Sequence, residues 1–286
     1  MDVVLYPGCT MKTWAASEAQ AILEVLAGVG VAITEMERWP CCGSADPLVE
    51  ENLIKMAASF RILSRAAGAA STLLTLCPIC HRVLRTVLLA VRQDPGKRAK
   101  LEDFCEVPAP GDLAVVYWLD LIARNASLQT LTASRKMPVG WLRAMPYPGC
   151  ALLRPSEILA SENSQPPRSL EAALKALGIE LALGPRRIEC CGGHQGIIDP
   201  EGVRHASVRI LQAAQADQCS AILTPCPLCR YNLRESNGEA TFVRTIASVA
   251  LVMAAALGIP SQRFLHPEDS LSRKEWEELQ ALLPVS

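Results

Sequence analysis

The chain opens on an unbroken apolar run, Val3-Val-Leu-Tyr6, followed by apolar positions at helical spacing, Ile22, Leu23, Val25 and Leu26. The run predicts a strand buried on both faces, and the spacing after it predicts an amphipathic helix packed on that strand. Ser17-x-x-Gln20 reads as a capping box opening the helix, and Gly28 and Gly30 as its stop. Val31 to Thr34 predicts a second strand. Asp46-Pro47 has the form of a helix start, with Asp as N-cap and Pro in the first turn, before a periodic segment from Leu48 to Ala67. A strand is predicted at Thr72 to Leu76, a helix at His81 to Val91, and a strand-plus-helix unit near Ala114 to Ala123.

The pattern then returns. Asp199-Pro200 opens a periodic segment from Val203 to Ala216, a strand follows at Ala221 to Thr224, and a short helical pattern at Arg230 to Arg234. A last strand-plus-helix unit spans Thr241 to Leu257. Apolar strands alternating with helices predict an α/β fold: two halves, each a mostly parallel sheet flanked by helices, with the domains divided as 1–143 and 144–286. The tail from Glu268 to Leu283 carries Leu271, Trp276, Leu279, Leu282 and Leu283 at helical spacing and predicts an amphipathic helix packed on its own domain.

Composition narrows the function. At 286 residues the length suits about two domains, and a half-hydrophobic chain of mean hydropathy +0.20 is not a disordered one. A net charge of −1 with 5 % aromatics gives neither the basic excess nor the stacking platform of a nucleic-acid binder. The longest uncharged apolar run, Thr245 to Ile259, has 15 residues, which is short of the roughly 20 of a membrane span and predicts a buried helix. No transmembrane segment is expected. The opening Met1-Asp-Val-Val has no basic region ahead of an apolar stretch, so no signal peptide is expected and the chain is expected to be cytoplasmic.

In a reducing compartment the 12 cysteines call for metal or redox chemistry. Apart from Cys105 and Cys219, which read as structural, they form two sets: C-x31-CC-x34-C-x2-C and C-x39-CC-x34-C-x2-C. The offset between the sets is 141 residues at the first cysteine and 149 at the other four, so the chain is an internal repeat. Tyr6-Pro-Gly-Cys9 returns as Tyr147-Pro-Gly-Cys150, and Leu74-Thr-Leu-Cys-Pro-Ile-Cys80 as Leu223-Thr-Pro-Cys-Pro-Leu-Cys229. The extra residues of the second half fall in the Pro- and Ser-rich stretch from Arg154 to Arg168, a loop by composition. Each set lies where predicted strands end, the usual ligand edge of an open α/β sheet. Each Cys-Pro-x-Cys also precedes a helix, whose positive end favours thiolates. Four readings stand open: paired disulfides, four-cysteine zinc sites, a cubane four-iron cluster with one thiol to spare, and a larger or open iron–sulfur cluster using all five sulfurs.

The duplicated motif resembles the CCG domains of the B-type subunit of heterodisulfide reductase. Related CCG domains occur in iron–sulfur subunits of lactate- and glycolate-oxidising and quinone-linked enzymes. The resemblance covers nearly the whole chain, and Leu152-Leu-Arg-Pro-Ser-Glu157 favours the heterodisulfide reductase type over the other members. It implies two CCG domains related by a pseudo-twofold, each with a non-cubane [4Fe–4S] cluster. Cys9, Cys41, Cys42, Cys77 and Cys80 would hold one cluster. Cys150, Cys190, Cys191, Cys226 and Cys229 would hold the other. The implied reaction is cleavage or formation of a disulfide in a shared cavity, one electron per cluster, with a small molecule or a carrier protein as the disulfide or thiol substrate. The implied partners are the ferredoxin-like subunit and the flavoprotein subunit of a heterodisulfide reductase-type complex, since this sequence has no ferredoxin-type cysteine run, no P-loop and no complete G-x-G-x-x-G. The alternatives are an electron-transfer CCG subunit of a lactate-, glycolate- or quinone-linked oxidoreductase, and a zinc-bound structural or interaction module.

Several residues outside the repeat are candidates for substrate contact. The second half inserts Gly192-Gly193-His194-Gln195-Gly196 after its vicinal pair, where Gly193 allows close approach and His194 is a proton donor for a leaving thiolate. Arg154, Arg187 and Arg230 are candidate anion-holding groups near the cysteines. His81, next to Cys80, is a candidate hydrogen-bond donor to a cluster sulfur, or simply a polar residue of the helix start.

Overall fold

Val3–Tyr6 forms β1, with all four residues buried. A continuous β-branched and aromatic run can be buried on both faces only in the middle of a sheet that helices cover on either side. The chain turns through α1, Cys9–Lys12, into α2, Ala16–Gly28, and returns as β2, Thr34–Glu35. Then come α3 (Leu53–Ala69), β3 (Thr72–Thr75), α4 (Pro78–Gln93) and α5 (Pro95–Cys105). β4 (Ala114–Tyr117) runs directly into α6 (Trp118–Ile122), and α7 (Asn125–Ala133) ends the first half. The computed structural model describes residues 2–44, 52–137, 139, 142–159, 166–238 and 241–282.

The second half repeats the order. β5 (Arg143–Pro146) leads to a 3-10 turn at Cys150–Leu152, then α8 (Ser156–Leu159), α9 (Pro166–Ala176) and β6 (Glu180–Leu181). After 3-10 turns at Pro185–Ile188 and Gly193–Gln195 come α10 (Pro200–Ala216), β7 (Ala221–Thr224) and α11 (Pro227–Asn237). β8 (Thr245–Ser248) passes into α12 (Val249–Ala256), and α13 (Ser270–Leu282) closes the chain. The described residues form two four-stranded sheets, ordered β2-β1-β3-β4 and β6-β5-β7-β8, with every pairing parallel. This is the α/β architecture expected from the sequence.

The halves are joined by an exchange of helices. α2 of the first half packs against α12 of the second, while α9 of the second packs against α6 of the first. Each half's first long helix is thus covered by the helix that follows the other half's last strand. One hydrophobic core therefore draws on both halves, including Ile22, Val25 and Leu26 from α2 with Leu251, Met253 and Ala254 from α12.

Some local expectations are corrected. Ser17 does not cap α2: the helix starts one residue earlier, and the buried Ser17 hydroxyl accepts the His266 N–H at 2.9 Å. The second strand is Thr34–Glu35 rather than Val31 to Thr34, because Gly30 at φ 81° and the Val31 N–H bond to the Leu26 carbonyl still belong to the helix end. The run from Thr245 to Ile259 is divided into β8 and α12, as the strand-plus-helix reading of Thr241 to Leu257 has it, so that only its second part is the buried helix. The Asp46-Pro47 helix start lies outside the described residues; α3 is capped by Asn52, whose Oδ1 accepts the Ile54 N–H at 2.9 Å. At the repeated position Asp199 does cap α10, accepting the Gly202 N–H at 2.9 Å. The tail helix α13 packs on β8 of its own half, with Trp276 edge-on to Phe264 at 5.0 Å.

Candidate functional site

The parallel sheets place both cysteine sets at the carboxyl ends of their strands. β1 runs out through Tyr6-Pro-Gly into Cys9, and β5 through Tyr147-Pro-Gly into Cys150. β3 and β7 run out into Cys77 and Cys226, which are the N-cap residues of α4 and α11. Pro78 and Pro227 take the first helical position, where a missing N–H costs nothing. Cys80 and Cys229 then lie in the first turn, at the positive end of the helix dipole.

Two details of the repeated Tyr-Pro-Gly-Cys motif have a shared geometric cause. The Tyr6 hydroxyl donates to the Pro40 carbonyl at 3.0 Å, and the Tyr147 hydroxyl to the Glu189 carbonyl at 2.7 Å. In each half the tyrosine ties down the residue immediately before the vicinal pair, so that Cys41-Cys42 and Cys190-Cys191 are held beside the strand ends. Gly8 and Gly149 have φ of 75° and 76° with ψ of 154° and 159°, a region open essentially to glycine alone. A Cβ there would stand 3.1 Å from Cys80 Sγ and 3.0 Å from Cys229 Sγ. Gly149→Ala is accordingly expected to lower stability by about 1–3 kcal/mol. A denaturant titration measures this, with Gly28→Ala, where a Cβ meets nothing within 4 Å, as the control.

In the first set Cys9 and Cys41 sulfurs are 4.0 Å apart, and Cys42 and Cys80 sulfurs 3.5 Å. In the second, Cys150 and Cys190 are 3.4 Å apart, and Cys191 and Cys229 3.5 Å. The pairing is the same in both halves. Burial repeats as well: Cys42, Cys77 and Cys80, like Cys191, Cys226 and Cys229, are buried, whereas Cys9 and Cys41 are exposed and Cys150 and Cys190 half-buried. Each set thus has a closed side of three sulfurs and an open side of two. Among the described residues, no three His, Cys, Asp or Glu side chains are gathered closely enough to hold a single metal ion, although Cys80 hydrogen-bonds with both Cys42 and Cys77, and Cys229 with both Cys191 and Cys226.

The buried pairs Cys42–Cys80 and Cys191–Cys229 share a proton in the same way, whereas Cys41 is raised, mainly by burial, and its counterpart Cys190 is lowered. Hydrogen bonding to Cys80 brings Cys42 down to about 7, and hydrogen bonding to Cys229 brings Cys191 to about 7, while Cys80 and Cys229 are pushed well up. Cys190 goes lower, to about 5, through its hydrogen bond with Cys150, then the Gly192 N–H and the nearby charges of His194 and Arg154. Near neutral pH each set therefore offers a thiolate, the form that binds metal.

The other candidates are dispersed. His194 is exposed on the Gly193–Gln195 turn, and Arg154 is exposed with Nη2 3.5 Å from the Ile188 carbonyl; both help to lower the Cys190 thiol. Gly193 packs tightly, since a Cβ there would collide with the Asn232 side chain, whose Nδ2 lies 3.7 Å from Cys191 Sγ. Arg187 pairs with Glu171 at 3.0 Å on α9. Arg230 is fully buried and pairs with Glu275 at 2.8 Å and Glu18 at 3.4 Å. These two arginines are engaged by carboxylates of the chain itself, which corrects the expectation that they hold substrate anions. His81 is buried with Nδ1 3.0 Å from Thr75 Oγ1, and burial, helped by Arg85, lowers it to about 3; it is a neutral packing residue. Cys105 and Cys219 are buried away from both sets, near the Ala57 and Asp217 carbonyls.

One residue that sequence reasoning missed stands between the sets. Tyr117, at the end of β4, is buried against His81 at 5.5 Å and donates to the Pro225 carbonyl of the other half at 3.1 Å. Cys77 and Cys226 both raise its hydroxyl, after burial and Glu18, so it lies within electrostatic reach of both sets.

The family model for the cysteine-rich CCG domain matches residues 3–85 and again 145–234. The chain is 27 % identical to the 8-methylmenaquinol:fumarate reductase membrane anchor subunit of Wolinella succinogenes, over 91 % of this chain and 94 % of that one. It is 21 % identical to a protein of Archaeoglobus profundus described as like the B-type subunit of heterodisulfide reductase, over 91 % of each. A crystal structure of a hypothetical protein from Helicobacter pylori shares the fold at a TM-score of 0.70 and 9 % identity; it covers 92 % of this chain, which spans 50 % of that one. Among the described residues no helix is long and apolar enough to cross a membrane.

Proposed function

The chain belongs to the family built from the cysteine-rich, iron–sulfur-type CCG domain, present here twice, and on that premise we propose that it is the catalytic subunit of a heterodisulfide reductase-like complex. The observation that carries the reading is the repeated arrangement of five sulfurs at the strand ends of both domains, three buried and two more open. We assign residues 1–143 and 144–286 to the two domains. Cys9, Cys41, Cys42, Cys77 and Cys80 hold one [4Fe–4S] cluster, and Cys150, Cys190, Cys191, Cys226 and Cys229 hold the other, both non-cubane. The donor chemistry fits: soft sulfurs, partly ionised at neutral pH, with a helix N-terminus behind two of them in each set.

Bound there, such clusters supply one electron each, and splitting a disulfide takes two. The chain's own part is to position the substrate and supply a proton. His194 and Arg154 are exposed and both act electrostatically on Cys190, which suits His194 to give a proton to a departing thiolate and Arg154 to hold an anionic group. A ferredoxin-like protein, backed by a flavoprotein, supplies the electrons.

Reconstitution tests the reading. About eight irons per chain with visible absorption are expected, and a chain holding two zincs without colour would sink it. The reduced protein, freed of reductant, is then mixed with lipoamide, and two new thiols are expected per two electrons consumed.

The higher identity to the fumarate reductase protein favours a second reading, electron transfer in a quinone-linked enzyme. A menaquinone analogue oxidising the reduced protein while disulfides leave it reduced would select that reading.

A further inference from the structure

A cleft opens beside Cys41 in the first half. It measures about 750 Å³ and is lined by Arg38, Arg61 and Arg65 with Trp39, Ile54 and Phe104 among others. Ile54, Ala58, Arg61 and Arg65 come from one face of α3 at spacings of four, three and four, while Phe104 is presented by α5, packed alongside. Among the described residues no acidic side chain lines the cleft and none of the three arginines has an ion pair; Arg65 donates instead to the Arg38 carbonyl, 3.3 Å away. Two large apolar side chains lie open at its rim, Ile54 at 69 % and Phe104 at 56 % exposure.

The second half has diverged here. At the repeat offset of 149 residues Arg38 corresponds to Arg187, which is paired with Glu171, Arg61 and Arg65 correspond to Ile210 and Ala214, and no described helix there corresponds to α5. Cations with no ion-pair partner among the described residues, joined to open aromatic and aliphatic groups, are the composition of a protein-binding surface rather than of a small-anion pocket. The cleft also ends at the redox site: Trp39 and Pro40 run directly into Cys41, an exposed sulfur of the first set, and Pro40 is the residue tied to Tyr6.

We propose that this cleft docks an acidic one-electron carrier protein, so that electrons enter through the first cysteine set. The inference rests on the cluster reading above and adds which domain receives the electron and what surface the donor must present. In each encounter the carrier's centre loses one electron and the group held by the first set gains it; no covalent bond forms or breaks. Two encounters supply the two electrons that a disulfide requires.

The test uses the iron-loaded full chain and a reduced plant-type ferredoxin of acidic surface, followed by rapid-mixing absorbance. The wild-type rate is expected to fall at least tenfold between low and 0.5 M salt, and the variant Arg38→Glu/Arg61→Glu/Arg65→Glu to be at least tenfold slower at low salt. Arg61→Gln alone should fall between, which guards against a triple variant that folds poorly. Iron content and photoreduction by an uncharged deazaflavin are expected to stay at wild-type levels in every variant. Salt-independent transfer, or a loaded triple variant as fast as wild type, overturns the docking proposal and leaves the cluster reading intact. A chain that binds no iron overturns both.

Discussion

Replacing Arg230 by methionine is expected to destabilise the folded chain by about 3–5 kcal/mol above neutral pH, and by much less near pH 5. Arg230 is fully buried next to Cys229, with Nη1 2.8 Å from Glu275 and Nη2 3.4 Å from Glu18, both also fully buried. Ser272 Oγ stands 3.3 Å from Nη1, and the Ser248 N–H donates to Glu275 at 2.6 Å. Glu18 comes from α2 of the first half, Glu275 from α13 and Arg230 from α11 of the second, so one guanidinium ties three helices across the join. Removing it strands two carboxyls in a dry interior, which is costlier than never having buried them. Burial already holds Glu18 up at about 7, with Arg230 opposing the rise and Glu275 adding to it, and burial raises Glu275 too.

The sign follows from that raised value. Between about 4.5 and 7 folded Glu18 keeps a proton that the unfolded chain releases, so its contribution to stability is complete below 4.5 and is lost as pH climbs through 7. Without Arg230 both carboxyls are held higher still, and the loss deepens at high pH. Denaturant midpoints at pH 5 and pH 8 measure the effect, and Glu18→Gln is expected to flatten the wild-type profile between the two. Equal losses for Arg230→Met at both pH values would contradict the account.

Much of this architecture is legible in the residues. The alternation of short apolar runs with helical spacing, repeated around two cysteine sets, is enough to place both sets at parallel strand ends. What escapes is set by distance along the chain. Arg230 follows a cysteine and invites an anion-binding role; its partners are 212 and 45 residues away, and no local pattern announces them. The exchange of α12 and α6 between halves is likewise a matter of which apolar faces meet, not of whether they exist. α5 escapes for the opposite reason: Asp94-Pro95 carries the start signal seen at Asp199-Pro200, but the segment after it is charged and weakly periodic. The clamps from Tyr6 and Tyr147 could have been read, because a tyrosine repeated at one position of both motifs is itself a signal.

The second large effect separates two cooperating clusters from two independent ones. Cys191→Ala removes a buried sulfur 3.5 Å from Cys229 and 3.7 Å from the Asn232 amide, one of those drawn toward the thiolate at neutral pH. It is expected to lose about four of about eight irons, while the first set, on a separate sheet, stays loaded. Cys105→Ala, in a buried cysteine near the Ala57 carbonyl and remote from both sets, is expected to keep all the iron. Iron analysis and visible absorption read this directly. Turnover should not follow iron in proportion. If a disulfide is opened between the two domains, each giving one electron and each receiving one sulfur, a half-loaded chain cannot finish the reaction, and Cys191→Ala should lose essentially all lipoamide reduction. It should still accept electrons from ferredoxin at the first set, near the wild-type rate, because the arginine cleft lies wholly within that domain. A variant that kept half the iron and half the turnover would mean that each set works alone, and the duplication would then reflect copy number rather than two-electron chemistry.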